Sequence, residues 1–339
     1  MTERQDVPGA GGPVTEPVGN DRRRRVVVGV DGSAGSRTAL VYAWTAAAAR
    51  DAELEVVGAY AVDAAFLDLD VYDPSLADSL RAHTEEAVSR QIGEVRRDPA
   101  VVAVSGAAEV PIRTVVTARP TAQELVNRSA DADLLVVGSR GRGGVRSAML
   151  GSVALHCATH AQCPVVVAHP MPTAPTVPAR IVVGIDGSDR SRAAVTEAIA
   201  EATRRGGRVE AVAAYQPADY WTDMTSTILP SVEQIRTTAE AKAQAFVRDV
   251  LYELFGSYGR SDVHVEIAEG PAHDVLVSRA HGAALLVVGS TGRGELRSLL
   301  LGSVSLHCAM HAPCPVMVVH PRLDRPVERA ERTEPAAAR

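Results

Sequence analysis

LLVVGSRGRGGVRSAMLGS at residues 134–152 and LLVVGSTGRGELRSLLLGS at 285–303 are one pattern written twice. At a fixed offset of 151, residues 134–168 and 285–319 agree at 25 of 35 positions. Agreement at that density marks an internal repeat, and so two copies of one domain. The length of 339 residues suits that number. Each copy begins with an apolar run that reads as a buried strand ending at Gly138 or Gly289. Each then turns through glycines: Gly141, Gly143 and Gly144 in the first copy, Gly292 and Gly294 in the second. Glycine permits positive φ, so successive backbone N–H groups can converge on one concavity. Gly151-Ser152 and Gly302-Ser303 then open a helix, which Ser152 is expected to cap. Its free N–H groups and dipole add partial positive charge. Arg140, Arg142 and Arg146 lie close by in sequence. The stretch is therefore expected to hold an anion.

Composition narrows the options. Apolar residues make up 46% of the chain and net charge is −6, which suits a globular core and gives no general nucleic-acid footprint. Lys242 is the sole lysine, and no GxxxxGK[ST] motif occurs. Phosphate must then be held by backbone, serine and arginine rather than by a Walker lysine. The polar N-terminus has no secretory apolar core, and no apolar run reaches membrane-spanning length. Four cysteines do not make a secreted disulfide scaffold. A cytoplasmic protein is expected.

Read in order, residues 1–22 form a polar tail expected to be disordered. Val26–Val30 is a strand buried on both faces, ended by Asp31-Gly32-Ser33. Ser36 is the candidate cap of the following helix. Strands follow at Leu54–Tyr60, Ile112–Val116, Leu134–Val137 and Val165–Ala168, with helices between them from Leu80 and from Thr121. PMPTAPTVPAR at 170–180 carries four prolines and reads as a stiff linker. The second copy starts at Ile181, with Ser191 as its candidate cap. It continues through strands at Val209–Tyr215, Val263–Ile267, Leu285–Val288 and Val316–Val319, with a long helix near 232–254. Residues 322–339 are expected to be a disordered tail. Alternating strands and helices imply crossover units and parallel sheets. The domains expected are thus 23–169 and 181–321.

The spacing Gly-x2-Gly-x9-Gly-Ser after a strand resembles the nucleotide-binding signature of the universal stress protein family, over roughly 26–168 and 181–319. The resemblance implies a tandem-domain member with two open five-stranded parallel sheets in the order 3-2-1-4-5. It implies one ATP, with magnesium, in each domain. Ligands of open parallel sheets sit beyond the carboxyl ends of the strands, where strand order reverses. Asp31 and Asp186 match the family aspartate beside the adenosine, and Gly29 and Gly184 match the close approach of backbone to nucleotide. Asp-Gly is also a common turn pair, so these aspartates have a purely local reading as well. Gly138, Ser139, Arg140, Gly141, Arg142, Gly143, Gly144, Gly151, Ser152 and Val153 match the phosphate loop. Gly289, Ser290, Thr291, Gly292, Arg293, Gly294, Glu295, Gly302, Ser303 and Val304 do so in the second copy. Tyr60 and Tyr215, at the ends of the second strands, are candidates to wall the adenine. Arg140 becomes Thr291 and Gly144 becomes Glu295, so the first site is expected to bind ATP more tightly.

His156, Cys157, His160 and Cys163 recur as His307, Cys308, His311 and Cys314. The i, i+4 histidines could meet a metal, but a structural role is expected and no metal site. No nucleophile paired with a base stands near the loops. The expected function is a non-enzymatic, ATP-dependent stress-response regulator acting on a protein partner and forming a homodimer. The alternatives are a weak ATPase or phosphotransferase using Asp31 or Asp186, and a chaperone-like scaffold. The final strands, Val165–Ala168 and Val316–Val319, would be sheet edges and are expected to mediate association; the two domains of one chain could pair these edges with each other, with another face making a homodimer.

Overall fold

The computed structural model describes residues 24–60, 74–141, 150–170, 177–217, 231–256, 263–292 and 301–320. In the first half they form strands β1 (Arg25–Val30), β2 (Glu53–Ala59), β3 (Ile112–Thr117), β4 (Leu134–Gly138) and β5 (Val165–Ala168). The helices of this half are α1 (Ala34–Ala48), α2 (Pro74–Val95), α3 (Pro99–Val102), α4 (Thr121–Ser129) and α5 (Ser152–His160). The second half holds β6 (Arg180–Gly184), β7 (Arg208–Tyr215), β8 (Val263–Glu269), β9 (Leu285–Gly289) and β10 (Val316–Val319). Its helices are α6 (Asp189–Arg204), α7 (Val232–Phe255), α8 (Ala272–Arg279) and α9 (Ser303–His311). Both expected tails lie outside the described residues, as do 171–176 of the linker.

The strands are continuous apolar runs because helices cover both of their faces. Val26, Val27 and Val28 are each fully buried, and alternate residues enter different clusters. Val26, Val28 and Val30 pack with Leu40 and Trp44 of α1, and Val27 packs with Leu125 of α4. The helix caps differ from the sequence expectation by one turn. The cap of α1 is Ser33, whose Oγ accepts from the Ser36 N–H at 3.1 Å, and that of α6 is Ser188, accepting from Ser191. Ser36 and Ser191 are helical, and their hydroxyls donate back to the Ser33 and Ser188 carbonyls. α7 starts with a full capping box, Ser231 with Gln234, and ends at Gly256 with φ 64°.

Within each half the strands are parallel, in the order β3-β2-β1-β4-β5 and β8-β7-β6-β9-β10. The fold class is as expected, but the two sheets are one. β10 runs antiparallel beside β5, with Val316 opposite Val167, Met317 opposite Val166 and Val318 opposite Val165. The result is a ten-stranded sheet. All residues of both seam strands are buried. Left as edges, these strands would present apolar side chains and unpaired backbone groups to water. The helices cross the seam too: Ala309 of α9 packs into the first half's cluster, and Ala158 of α5 into the second's. On the other face, α1 and α6 meet through a buried ion pair between Arg50 and Glu201, 5% and 1% exposed. Arg204 and Arg205 also pair with Glu201, and Arg205 donates to the Tyr42 hydroxyl. Burial pushes the Glu201 carboxyl up, but the guanidiniums of Arg50, Arg205 and Arg204 outweigh it and hold the group below its ordinary range.

Candidate functional site

Strand order reverses between β1 and β4 in the first half and between β6 and β9 in the second. Asp31 follows β1 and Ser139 follows β4, so the topology brings the two expected segments together. One Asp31 oxygen accepts from the Ser33 N–H at 2.9 Å, and Asp186 accepts from both the N–H and the hydroxyl of Ser188. Gly32 and Gly187 take φ of 81° and 82° in these turns. The second carboxylate oxygen lies over the glycine loop. A Cβ on Gly141 would fall 2.8 Å from Asp31 Oδ2, and one on Gly292 would fall 3.2 Å from Asp186 Oδ2. Glycine is thus required at 141 by a close approach, not by positive φ, which neither Gly141 nor Gly292 adopts.

The ends of the loop are clamped. The Ser139 N–H donates to the Ala168 carbonyl and the Gly151 N–H to the Ser139 carbonyl, at 3.1 and 2.9 Å. Ser290, Val319 and Gly302 repeat both bonds at 2.8 and 2.7 Å. Arg142, Gly143, Gly144, Arg293, Gly294 and Glu295 lie outside the described residues. Gly151 and Gly302 are the cap residues of α5 and α9, and neither helix has a side-chain cap. Ser152 and Ser303 are therefore the first helical residues, exposed, rather than the expected caps. The N–H groups of these helix starts remain available to an external acceptor. Val153 and Val304 follow, half-buried.

In the second half these parts line a cavity of about 530 Å³. Gly184, Asp186, Gly289, Thr291, Gly292, Gly302, Ser303 and Val304 all border it. Its apolar wall comes from Ile185, Val212, Ala214 and Leu276, residues the sequence reading did not single out. Alternation along β7 puts Val212 and Ala214 on one face, and that was the available signal. Tyr215 points the other way, into a cluster with Ile235 and Ala239 of α7, so it does not wall this cavity. Tyr60 follows β2, half-buried. Gly184 has a packing role besides lining the cavity. A Cβ there would meet Leu276 at 2.8 Å, and one on Gly29 would meet Leu125 at 2.8 Å. Thr291 Oγ1 is buried without a hydrogen-bond partner among the described residues.

A histidine closes each half's last strand and reaches the other half. His169 Nε2 donates to the Ala309 carbonyl of α9 at 2.9 Å. Burial, aided by Arg140 and opposed by that backbone bond, brings its pKa down to about 4. His320 is also held below its ordinary range, chiefly by burial, with Arg190 adding to the effect. Backbone groups of Ala158, Thr159 and Cys163 in the first half oppose that shift, though neither ring nitrogen meets full hydrogen-bonding geometry among the described residues. The four cysteines are free and buried, and burial pushes each thiol up to about 12. Cys157, Cys163, Cys308 and Cys314 are core residues.

The model of the universal stress protein family matches residues 22–169 and 179–320. The chain belongs to the universal stress protein family. Its relatives carry the same tandem plan. It is similar to universal stress protein Rv2005c of Mycobacterium tuberculosis, with 34% identity over 303 residues covering 88% of this chain and 97% of the relative. A universal stress protein of Mycolicibacterium smegmatis is 30% identical over 300 residues, covering 88% and 97%. Among solved structures, a universal stress protein from Archaeoglobus fulgidus superposes with a TM-score of 0.60 at 19% identity, covering 88% of this chain and 98% of that one. That likeness bears on the fold. No described helix of this universal stress protein is long and apolar enough to cross a membrane.

Proposed function

We propose that this tandem universal stress protein binds one ATP in each half and acts as a nucleotide-dependent regulator. The observation that carries the reading is the cavity at the β6/β9 reversal. The uncapped start of α9 opens onto it, and Thr291 Oγ1 is buried there with no hydrogen-bond partner among the described residues. A buried hydroxyl without a partner costs free energy that a ligand oxygen would recover. An uncapped helix start favours phosphate. The volume lies within the usual range of about 300–1,000 Å³ for small-molecule pockets. Ile185, Val212, Ala214 and Leu276 suit a base, and Asp186 stands where a ribose hydroxyl or amino group would come. The phosphates would lie along Thr291–Gly292 and Gly302–Val304, with magnesium arriving on the nucleotide. The first half repeats the switch point, the loop clamps and the uncapped helix start, which supports a second site there.

One oxygen of each aspartate is held by the turn N–H of Ser33 or Ser188, while Oδ2 faces the loop glycine, an arrangement that suits accepting a hydrogen bond from a ribose hydroxyl or amino group. Occupancy regulates only if ATP binds one conformation, or one partnered state, better than another. A homodimer would use a face other than β5 and β10, which are consumed within the chain.

Mass spectrometry of ligand released from purified protein, followed by calorimetric titration of the stripped chain, tests the reading. ATP recovered and two sites per chain are expected. No nucleotide recovered and no heat on titration would overturn it. Rapid turnover abolished by Asp31→Asn and Asp186→Asn would replace the regulator with an enzyme.

A further inference from the structure

α8 and α9 pack side by side on the outer face of the second half, and they bring together side chains that the nucleotide reading does not use. His273 and Asp274 lie in the first turn of α8, and His307 lies one turn into α9. One ligand atom from each falls within 4.8 Å of the others. His273 Nε2 and Asp274 Oδ1 stand 3.6 Å apart. The His273 and His307 rings are 4.5 Å apart between centroids. His311 lies one turn further along α9, its ring 4.4 Å from that of His307.

We propose that His273, Asp274 and His307 form a binding site for a divalent cation of the zinc class. Two imidazoles and a carboxylate are a ligand set that suits zinc, with water completing the tetrahedron. Ligand atoms about 2.0–2.1 Å from a tetrahedral ion stand roughly 3.3 Å apart. Closing 4.8 Å to that spacing takes a side-chain rotation, and His273 and Asp274, 40% and 65% exposed, have room for it.

The first half supplies a built-in contrast. Its α5 carries the same pair, His156 and His160, stacked at 4.4 Å. At the positions matching His273 and Asp274, α4 has Ala122 and Gln123. The sequence expectation of no metal considered only the i, i+4 pair on one helix. The added ligands come from a neighbouring helix and from one half alone.

The test uses the full untagged chain, free of nucleotide, titrated with zinc alone in competition with a chromophoric chelator. One zinc per chain is expected, with a melting temperature raised by the ion. His273→Ala and His307→Ala should each weaken binding at least tenfold, and His156→Ala should leave it unchanged. All three positions are at least partly exposed, and metal-free melting of each variant checks that it folds. No stoichiometric zinc at micromolar concentration, retention by both α8/α9 variants, or an equal loss in His156→Ala would overturn the proposal.

Discussion

Gly35 and Arg140 in the first half correspond to Arg190 and Thr291 in the second. The two positions lie close together in the first half. A Cβ at Gly35 would run into the Arg140 carbonyl, and one at Gly138 would fall 2.6 Å from the Gly35 backbone. In the second half the corresponding neighbour of Gly289 is Arg190, whose Cβ would lie 3.0 Å from an added one. Arg190, in the first turn of α6, thus packs against Gly289 at the start of the second loop. Arg140 and Arg190 depress the corresponding histidines, His169 and His320. From sequence alone, a tighter first site is expected. Arg190 narrows that gap. Expected affinities for ATP, measured by titrating Gly151→Asp and Gly302→Asp chains, lie within about threefold of each other. Arg190→Ala should weaken the second site by up to about fivefold, as an exposed charge contributes about 0–1 kcal/mol. The swap was invisible in sequence because residues 35 and 140 meet only in the fold. His169 gives a second expectation at this scale. Its folded pKa of about 4 lies below the ordinary 6.5. Between those values the unfolded chain binds more protons, so stability falls as pH drops from about 6.5 towards 4 and is flat above. The loss has an upper bound of about 3 kcal/mol, and His320 acts in the same direction. Melting curves at pH 7 and 4.5 should differ less in His169→Asn than in the parent chain.

At the level of elements, helix starts in this protein are of two kinds. α1 and α6 are closed by Ser33 and Ser188, and α5 and α9 are left open behind Gly151 and Gly302. Among these four, the closed starts hold the turn beside Asp31 and Asp186, and the open ones stand where the proposed phosphates would lie. Ser188→Ala should cost about 1 kcal/mol of stability. Ser303→Ala should leave stability within about 0.5 kcal/mol while weakening ATP binding severalfold. Thermal melts and calorimetry on both variants separate the two effects. The strands were legible to within a residue or two because fully buried parallel strands leave long apolar runs. Caps were misread because two serines stand three apart, and the backbone turn after Asp31 decides which one accepts. The glycine loops were legible as the border of a cavity in the second half. Its apolar wall was not, since Val212 and Leu276 look like any other core residue until the cavity is seen beside them.

Across the whole molecule, the antiparallel seam sets the geometry. The strands of the two halves run in opposite directions, so the two candidate sites open at opposite edges of one sheet. The halves are held in register by the valine-rich seam, the Ala158 and Ala309 packing across it, the His169–Ala309 bond and the Glu201 ion-pair cluster. Glu201→Ala leaves Arg50 buried without its carboxylate, for an expected loss of about 3–5 kcal/mol, read by denaturant titration. Met317→Asp should lower the melting temperature sharply without changing the mass of the folded fraction by light scattering, because this strand pairs within the chain. The order of strands was legible through the family resemblance, and the edge position of the final strands made association through them expected. The Arg50–Glu201 contact was not legible, because nothing local marks two charges 151 residues apart as partners. The seam also has a consequence in time. β5 is complete long before its neighbour β10 exists, and ribosomes add roughly 5–20 residues per second. For on the order of ten seconds each nascent chain carries an open apolar edge that a neighbouring nascent chain on the same message could occupy. Synthesis itself, rather than the finished fold, is where this protein is most exposed to mispairing.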